Sequence, residues 1–164
     1  MFSIEIERLA EATLHAARGR GRKLATAESC TGGLVGAALT AIPGSSDVFD
    51  RGFITYSNTA KTGLLGVDAA VIEAAGAVSE PVARAMAEGA VRNSDAAVVV
   101  AITGIAGPGG GSADKPVGLV WFALARRDGP TEAREVRYGD IGREQVRLAS
   151  VFTALELLFA GVIG

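Results

Sequence analysis

At 164 residues the chain is long enough for a single domain with a sizeable core, and 49% of it is apolar. A net charge of −2 and a pI near 5.5 exclude a global field that would draw it to nucleic acid or an anionic membrane. Aromatic residues, at 5%, are too sparse for a base-stacking surface, and a lone cysteine, Cys30, excludes an intrachain disulfide framework.

Residues 3–18 carry apolar side chains at helical spacing (Ile6, Leu9, Ala10, Thr13, Ala17), with Arg8, Glu11, His15 and Arg18 on the opposite face. Gly19 and Gly21 stop that helix. A short strand is expected at about 23–28, then a helix at about 32–42 ending before Pro43-Gly44. Phe49 to Ser57 has strand composition. Asn58 to Leu65 reads as a helix capped by Ser57 or Asn58, and Asp68 to Ala75 as a second one closed by Gly76. Ser79-Glu80-Pro81 opens a third that runs to about Asn93, with proline in the first turn where it is tolerated.

Ala96 to Thr103 is almost continuously apolar, as a strand covered on both faces should be, and Val117 to Ala125 repeats the pattern. Glu132 to Tyr138 alternates like a strand nearer an edge. Arg143 to Val162 closes the chain as a helix, with Leu148, Val151, Phe152, Leu155 and Phe159 directed inward. Helices flanking apolar strands predict an α/β fold, a three-layer α/β/α sandwich. Two neighbouring strands joined without a helix make its sheet mixed, though mostly parallel.

Three segments carry candidate chemistry. Ala27-Glu28-Ser29-Cys30-Thr31-Gly32-Gly33 lies where a strand hands over to a helix, so it exposes a nucleophile beside backbone N–H groups without internal partners. Such a turn serves acyl transfer or holds a phosphate. Thr103 to Ser112, glycine-rich, leaves the most apolar strand directly, where open α/β sheets place ligands. It lacks the Gly-Lys-Ser/Thr of a triphosphate loop and the helix of a dinucleotide fingerprint. Either it forms an anion-holding nest or it is a flexible hairpin connection.

In Tyr56-Ser57-Asn58-Thr59-Ala60-Lys61, the lysine falls in the first turn of a helix. The positive end of the helix dipole and partial burial both disfavour its ammonium form. A neutral amine there could deprotonate a serine; the plainer reading is a solvated lysine. His15, the sole histidine, lies on a charged helical face, so a Ser-His-Asp or Cys-His site is not expected. One His and one Cys cannot build a zinc site within one chain. Asp47 and Asp50 read as a loop and a strand start rather than a magnesium pair, and no metal or cofactor is expected. Cys30 reads as a small packing residue. The acidic N-terminus does not look like a secretory signal, and no stretch of about 18 apolar residues is expected to span a membrane. A cytoplasmic location is expected.

Taken in order, Thr26-Ala27-Glu28-Ser29-Cys30-Thr31-Gly32-Gly33, Pro43-Gly44-Ser45-Ser46, Gly52-Phe53-Ile54-Thr55-Tyr56-Ser57-Asn58-Thr59-Ala60-Lys61, Gly76-Ala77-Val78-Ser79-Glu80-Pro81-Val82-Ala83, Gly104-Ile105-Ala106-Gly107-Pro108-Gly109-Gly110 and Lys115-Pro116-Val117-Gly118 resemble the C-terminal domain of the CinA family. The likeness covers nearly the whole chain as one domain. Stand-alone members of that family are nicotinamide mononucleotide (NMN) amidohydrolases, so the resemblance implies deamidation of NMN to nicotinic acid mononucleotide and ammonia. It implies Ser29 as nucleophile, Lys61 as base and Tyr56 as a helper, with Thr31 and Ser46 as further hydroxyls near the turn. Thr31, Gly32, Gly33, Ser46, Thr103, Gly104 and Gly107 would then contact a small-molecule nucleotide, with the glycine loop holding its phosphate. Backbone N–H groups near Thr31, Gly32 and Gly33 would face the oxyanion. The molybdopterin-binding-like half of larger members is absent from the sequence, and the run Gly139 to Arg143 looks slightly long for the family. A non-catalytic nucleotide-binding module is the alternative. A homodimer or other homo-oligomer is expected, without direct contact to nucleic acid or membrane.

Overall fold

The computed structural model describes residues 1–164. Its framework is the pair of apolar strands β1 (Leu24–Glu28) and β3 (Val98–Gly104), which lie side by side and parallel at the centre of a five-stranded sheet. β2 (Phe49–Ile54) pairs parallel with the outer side of β1. On the other side β4 (Leu119–Arg126) runs antiparallel to β3, and β5 (Glu132–Arg137) antiparallel to β4. The order is β2-β1-β3-β4-β5, so β4 alone opposes the common direction. This is the mixed, three-layer α/β/α sandwich that the sequence predicts.

Strand alternation sorts the core into two halves. Leu24, Val98, Val100, Ile102, Val120, Phe122 and Leu124 face α1 (Ile4–Gly19), α2 (Leu34–Thr40) and α6 (Arg143–Ile163). Ala25, Ala27, Val99, Ala101, Ala123 and Ala125 face α3 (Asn58–Leu65), α4 (Ala69–Ala75) and α5 (Glu80–Arg92). The second face is mostly alanine, which lets its helices approach closely. The third of them to do so, α5, also touches α3 through Gly89, where a Cβ would overlap the Leu65 carbonyl.

Several boundaries differ from expectation, and the reasons are local. α2 begins at Leu34, because Gly32 (φ 58°) and Gly33 (φ 101°) form a left-handed turn ahead of it. β2 ends at Ile54, since Ser57 is needed as the cap of α3, its side chain accepting the Ala60 N–H at 3.0 Å. Phe152 points outward, 37% exposed, because Val151, Ala154, Leu155 and Leu158 fill the face of α6 that meets the sheet. By length and composition α6 could cross a membrane: its most apolar 18-residue window has a mean hydropathy of 1.9, contrary to the expected absence of such a stretch. Half of that window is buried in the domain, where α6 packs on α1, β3 and β4.

Candidate active site

The C-terminal ends of β2, β1 and β3 meet at one edge of the sheet, and the site is built there. The Ser29 N–H continues the ladder to Ile102 O (2.9 Å), and the Thr55 N–H reaches Glu28 O (2.8 Å). Ser29 follows Ala25 and Ala27 on the alanine face, toward α3. Its predecessor Glu28 faces α2, completely enclosed, and its two carboxylate oxygens accept four hydrogen bonds. Thr31 Oγ1 (2.7 Å) and Val35 N (2.9 Å) donate to Oε1, while Thr26 Oγ1 (3.1 Å) and Gly36 N (3.0 Å) donate to Oε2. The carboxylate thereby stitches the end of β1 to the first turn of α2, in the place where a capping side chain would sit.

From α3, Lys61 reaches across to this turn. Its Nζ lies 3.0 Å from Ser29 Oγ and donates to the Thr55 carbonyl at 2.8 Å. The side chain is 1% exposed, and none of the chain's ion pairs involves it. Burial lowers the Lys61 pKa below the ordinary lysine value, slightly opposed by the neighbouring Cys30. Desolvation, one of the two causes expected from the sequence, is the leading one. A neutral Nζ that donates one N–H to Thr55 O has its lone pair free to take the Ser29 proton. Thr55 itself is fully buried, and its hydroxyl has no partner.

The other expected residues divide into three groups. Tyr56 (58% exposed), Thr103 and Gly104 line the same pocket of about 240 Å³, together with Ala77, Val78 and Ala106. Tyr56 Oη accepts a hydrogen bond from Arg143 Nη2 at 2.8 Å rather than from either member of the Ser29–Lys61 pair. Thr103 Oγ1 donates to Ala77 O at 2.8 Å, tying β3 to the wall between α4 and α5. Thr31, Gly32, Gly33 and Gly107 adjoin the site but are not among the residues that line this pocket. The Thr31 hydroxyl is committed to Glu28, and the Gly32 N–H donates to Ser29 O at 3.0 Å, so it is not free for an oxyanion. Gly107 O accepts from Arg143 Nη1 at 2.8 Å.

Ser46 is not at the site. It lies exposed in the 3₁₀ turn Ser45–Asp47 that leads into β2, beside the start of β1, whereas Ser29 follows its end. Five strand residues separate the two ends, about 16 Å. Among the three hydroxyls considered, Ser29 alone meets the lysine. Cys30 is buried, and that burial pushes its thiol up to about 12, so it stays protonated.

Two arginines of α6 complete the surroundings, and sequence reasoning missed both. Arg143 joins Tyr56 to the glycine loop, and Arg147 donates from Nε to Cys30 O and from Nη2 to Thr31 O, each at 3.1 Å. A signal did exist. Two cations four residues apart at a helix N-terminus oppose both each other and the dipole, so they require partners outside the helix. No acidic side chain lines the pocket.

A buried serine–lysine pair thus stands at the strand ends of an α/β/α sandwich. Residues 6–162 match the CinA C-terminal domain, and the chain belongs to that family. It is 54% identical over 158 residues to a CinA-like protein of Synechococcus sp. strain RCC307, covering 96% of this chain and 38% of that protein. A protein of Symbiobacterium thermophilum described as competence-damage inducible is 56% identical over 127 residues, 77% of this chain and 30% of its own length. The chain thus spans well under half the length of these curated relatives. A crystal structure of competence/damage inducible protein CihA from Agrobacterium tumefaciens superposes with a TM-score of 0.97 at 53% identity, covering 98% of both chains. The competence damage-inducible protein A of Klebsiella pneumoniae gives 0.90 at 36% identity, covering 94% and 95%.

Proposed function

We propose that the domain is an amidohydrolase that converts NMN to nicotinic acid mononucleotide and ammonia, with Ser29 as nucleophile and Lys61 as general base. The observation that carries this reading is the 3.0 Å contact between Ser29 Oγ and a lysine nitrogen that is buried and unpaired with any carboxylate. Ser29 passes its proton to Lys61 Nζ as Oγ bonds to the carboxamide carbon. The C–N bond then breaks, and the leaving nitrogen takes that proton from Lys61 and departs as ammonia. A water molecule gives a proton to the same amine and attacks the acyl carbon. Oγ leaves and recovers its proton, which restores the starting state.

The substrate class is supported by size and charge. A pocket of about 240 Å³ suits a pyridine carboxamide rather than a whole mononucleotide, since sites for larger ligands run to about 300–1,000 Å³. Sugar and phosphate would therefore extend past Arg143 toward the Pro108–Ser112 cleft, whose lining is glycine-rich and carries Arg137 beside Asp140. Ala77, Val78 and Ala106 offer an apolar wall to the ring, and the cationic rim suits an anion.

The test is ammonia release from NMN by wild type, Ser29→Ala and Lys61→Met, each shown to be folded by circular dichroism. Turnover in wild type and its loss in both variants is expected. Turnover that survives both substitutions removes the pair from the chemistry. Tight NMN binding without ammonia from wild type would mark the domain as a binding module instead.

A further inference from the structure

We infer that Arg147 is a positioning residue for acyl transfer: it sets the peptide planes after Ser29 so that an unshared backbone amide faces the reacting carbonyl. The inference rests on the amide-hydrolysis reading and deepens it. Arg147 comes from α6, the layer opposite Lys61, and grips two consecutive carbonyls, Cys30 O and Thr31 O, both at 3.1 Å. A trans peptide is planar, and its N–H points opposite to its C=O. Drawing the Cys30 carbonyl toward α6 therefore turns the Thr31 N–H away from α6, toward the side where Ser29 meets Lys61.

That amide has no hydrogen-bond partner in the chain, while the next one, Gly32 N–H, is used on Ser29 O. Arg147 thus holds one plane in a closed turn and leaves the other's donor free, two residues from the nucleophile. A donor so placed can receive the charge that develops on the amide oxygen. Arginine suits the task because its rigid fork spans two carbonyls, which the point charge of lysine cannot do. The fork also lies against the turn: a Cβ on Gly32 would stand in ordinary contact with Arg147 Nη2, at 3.4 Å. At the N-terminal end of α6 the guanidinium gains nothing from the helix dipole, so its hold on this turn is what accounts for its position.

Wild type, Arg147→Met and Arg147→Lys are to be compared for kcat and KM with NMN, and for inhibition by pyridine-3-boronic acid, whose tetrahedral serine adduct places an oxygen where the oxyanion forms. Arg147→Met is expected to lower kcat about 100-fold, the scale of one oxyanion donor, with KM changed less than about threefold. Boronate affinity should fall in step with kcat, and Arg147→Lys should recover about a tenth of wild-type kcat. A merely structural arginine would not separate kcat from KM or ground-state from adduct binding. If Arg147→Met keeps kcat within about threefold, or changes KM alone, the proposal is overturned. Should that variant not fold, Arg147→Lys decides, since wild-type kcat there also overturns it. A wild type that releases no ammonia overturns the hydrolase reading and this inference together; an active wild type matched by Arg147→Met overturns this inference alone.

Discussion

Glu28 and Ser29 are chain neighbours that face opposite layers of the sandwich. The Glu28 carboxylate closes four hydrogen bonds on the α2 side, and the Ser29 hydroxyl meets Lys61 on the α3 side. The alternation of one strand therefore separates the group that holds the turn from the group placed to react. Glu28→Ala would leave two buried threonine hydroxyls and two amides without their acceptor. It should destabilise the domain by about 3–5 kcal/mol in urea unfolding. Glu28→Gln keeps the shape but presents its amide to donors at one oxygen, and should cost about 1–2 kcal/mol. Equal stability of all three proteins would show that the four bonds hold nothing together.

Much of this arrangement is legible in the sequence, and the exceptions have a common cause. Apolar runs identify β1 and β3, and residues that follow such parallel strands gather at one end, so Ser29, Thr103 and Gly104 could be grouped before any coordinates. Ser46 fails the same topological rule. It precedes β2, and the start of a parallel strand lies at the far end of the sheet. Arg147 grips carbonyls 117 and 116 residues away, a closure that no local pattern encodes. Nor does helical periodicity show that the valines and leucines of α6 leave Phe152 outside, because this depends on which face meets the sheet.

Lys61 couples activity and stability to pH with a definite sign. Its folded pKa is lowered by burial, so between that value and the ordinary lysine value of 10.5 the unfolded chain holds more protons than the folded one. Stability contributed through this group therefore rises with pH across that window and is least below the folded pKa, where both states are protonated. kcat/KM should rise with pH through the folded value as the amine becomes neutral. Lys61→Met should lose about 100- to 10,000-fold in turnover, the range of a general base, and should remove the rise in urea midpoint with pH. A variant that keeps the wild-type slope would show that another group titrates.

Gly89 fixes the helix that carries the lysine. A Cβ there would overlap the Leu65 carbonyl oxygen and stand 2.9 Å from its carbon, so α5 and α3 would have to separate. Backbone cannot rotate aside as a side chain can. Gly89→Ala should cost about 1–3 kcal/mol by overpacking, despite the better helix propensity of alanine, which by itself would stabilise by about 1 kcal/mol. Because Lys61 and Leu65 share one face of α3, the displacement should also lower kcat. Thermal denaturation and steady-state rates measured together would check it, and a variant as stable and as active as wild type would show that the two helices can part freely.

Cys30 tests whether the reactive group is an alcohol or its thiol neighbour. With burial holding the thiol near 12, the thiolate is a minute fraction at neutral pH, and the side chain is 6% exposed. Iodoacetamide should leave native protein unmodified and active over hours, while urea-unfolded protein reacts at once. Cys30→Ala removes one buried sulfur at a site whose carbonyl, not its thiol, is gripped by Arg147. It should cost about 1 kcal/mol of stability and keep kcat within about threefold. Rapid inactivation by alkylation, matched by lost turnover in Cys30→Ala, would transfer the nucleophile from Ser29 to Cys30.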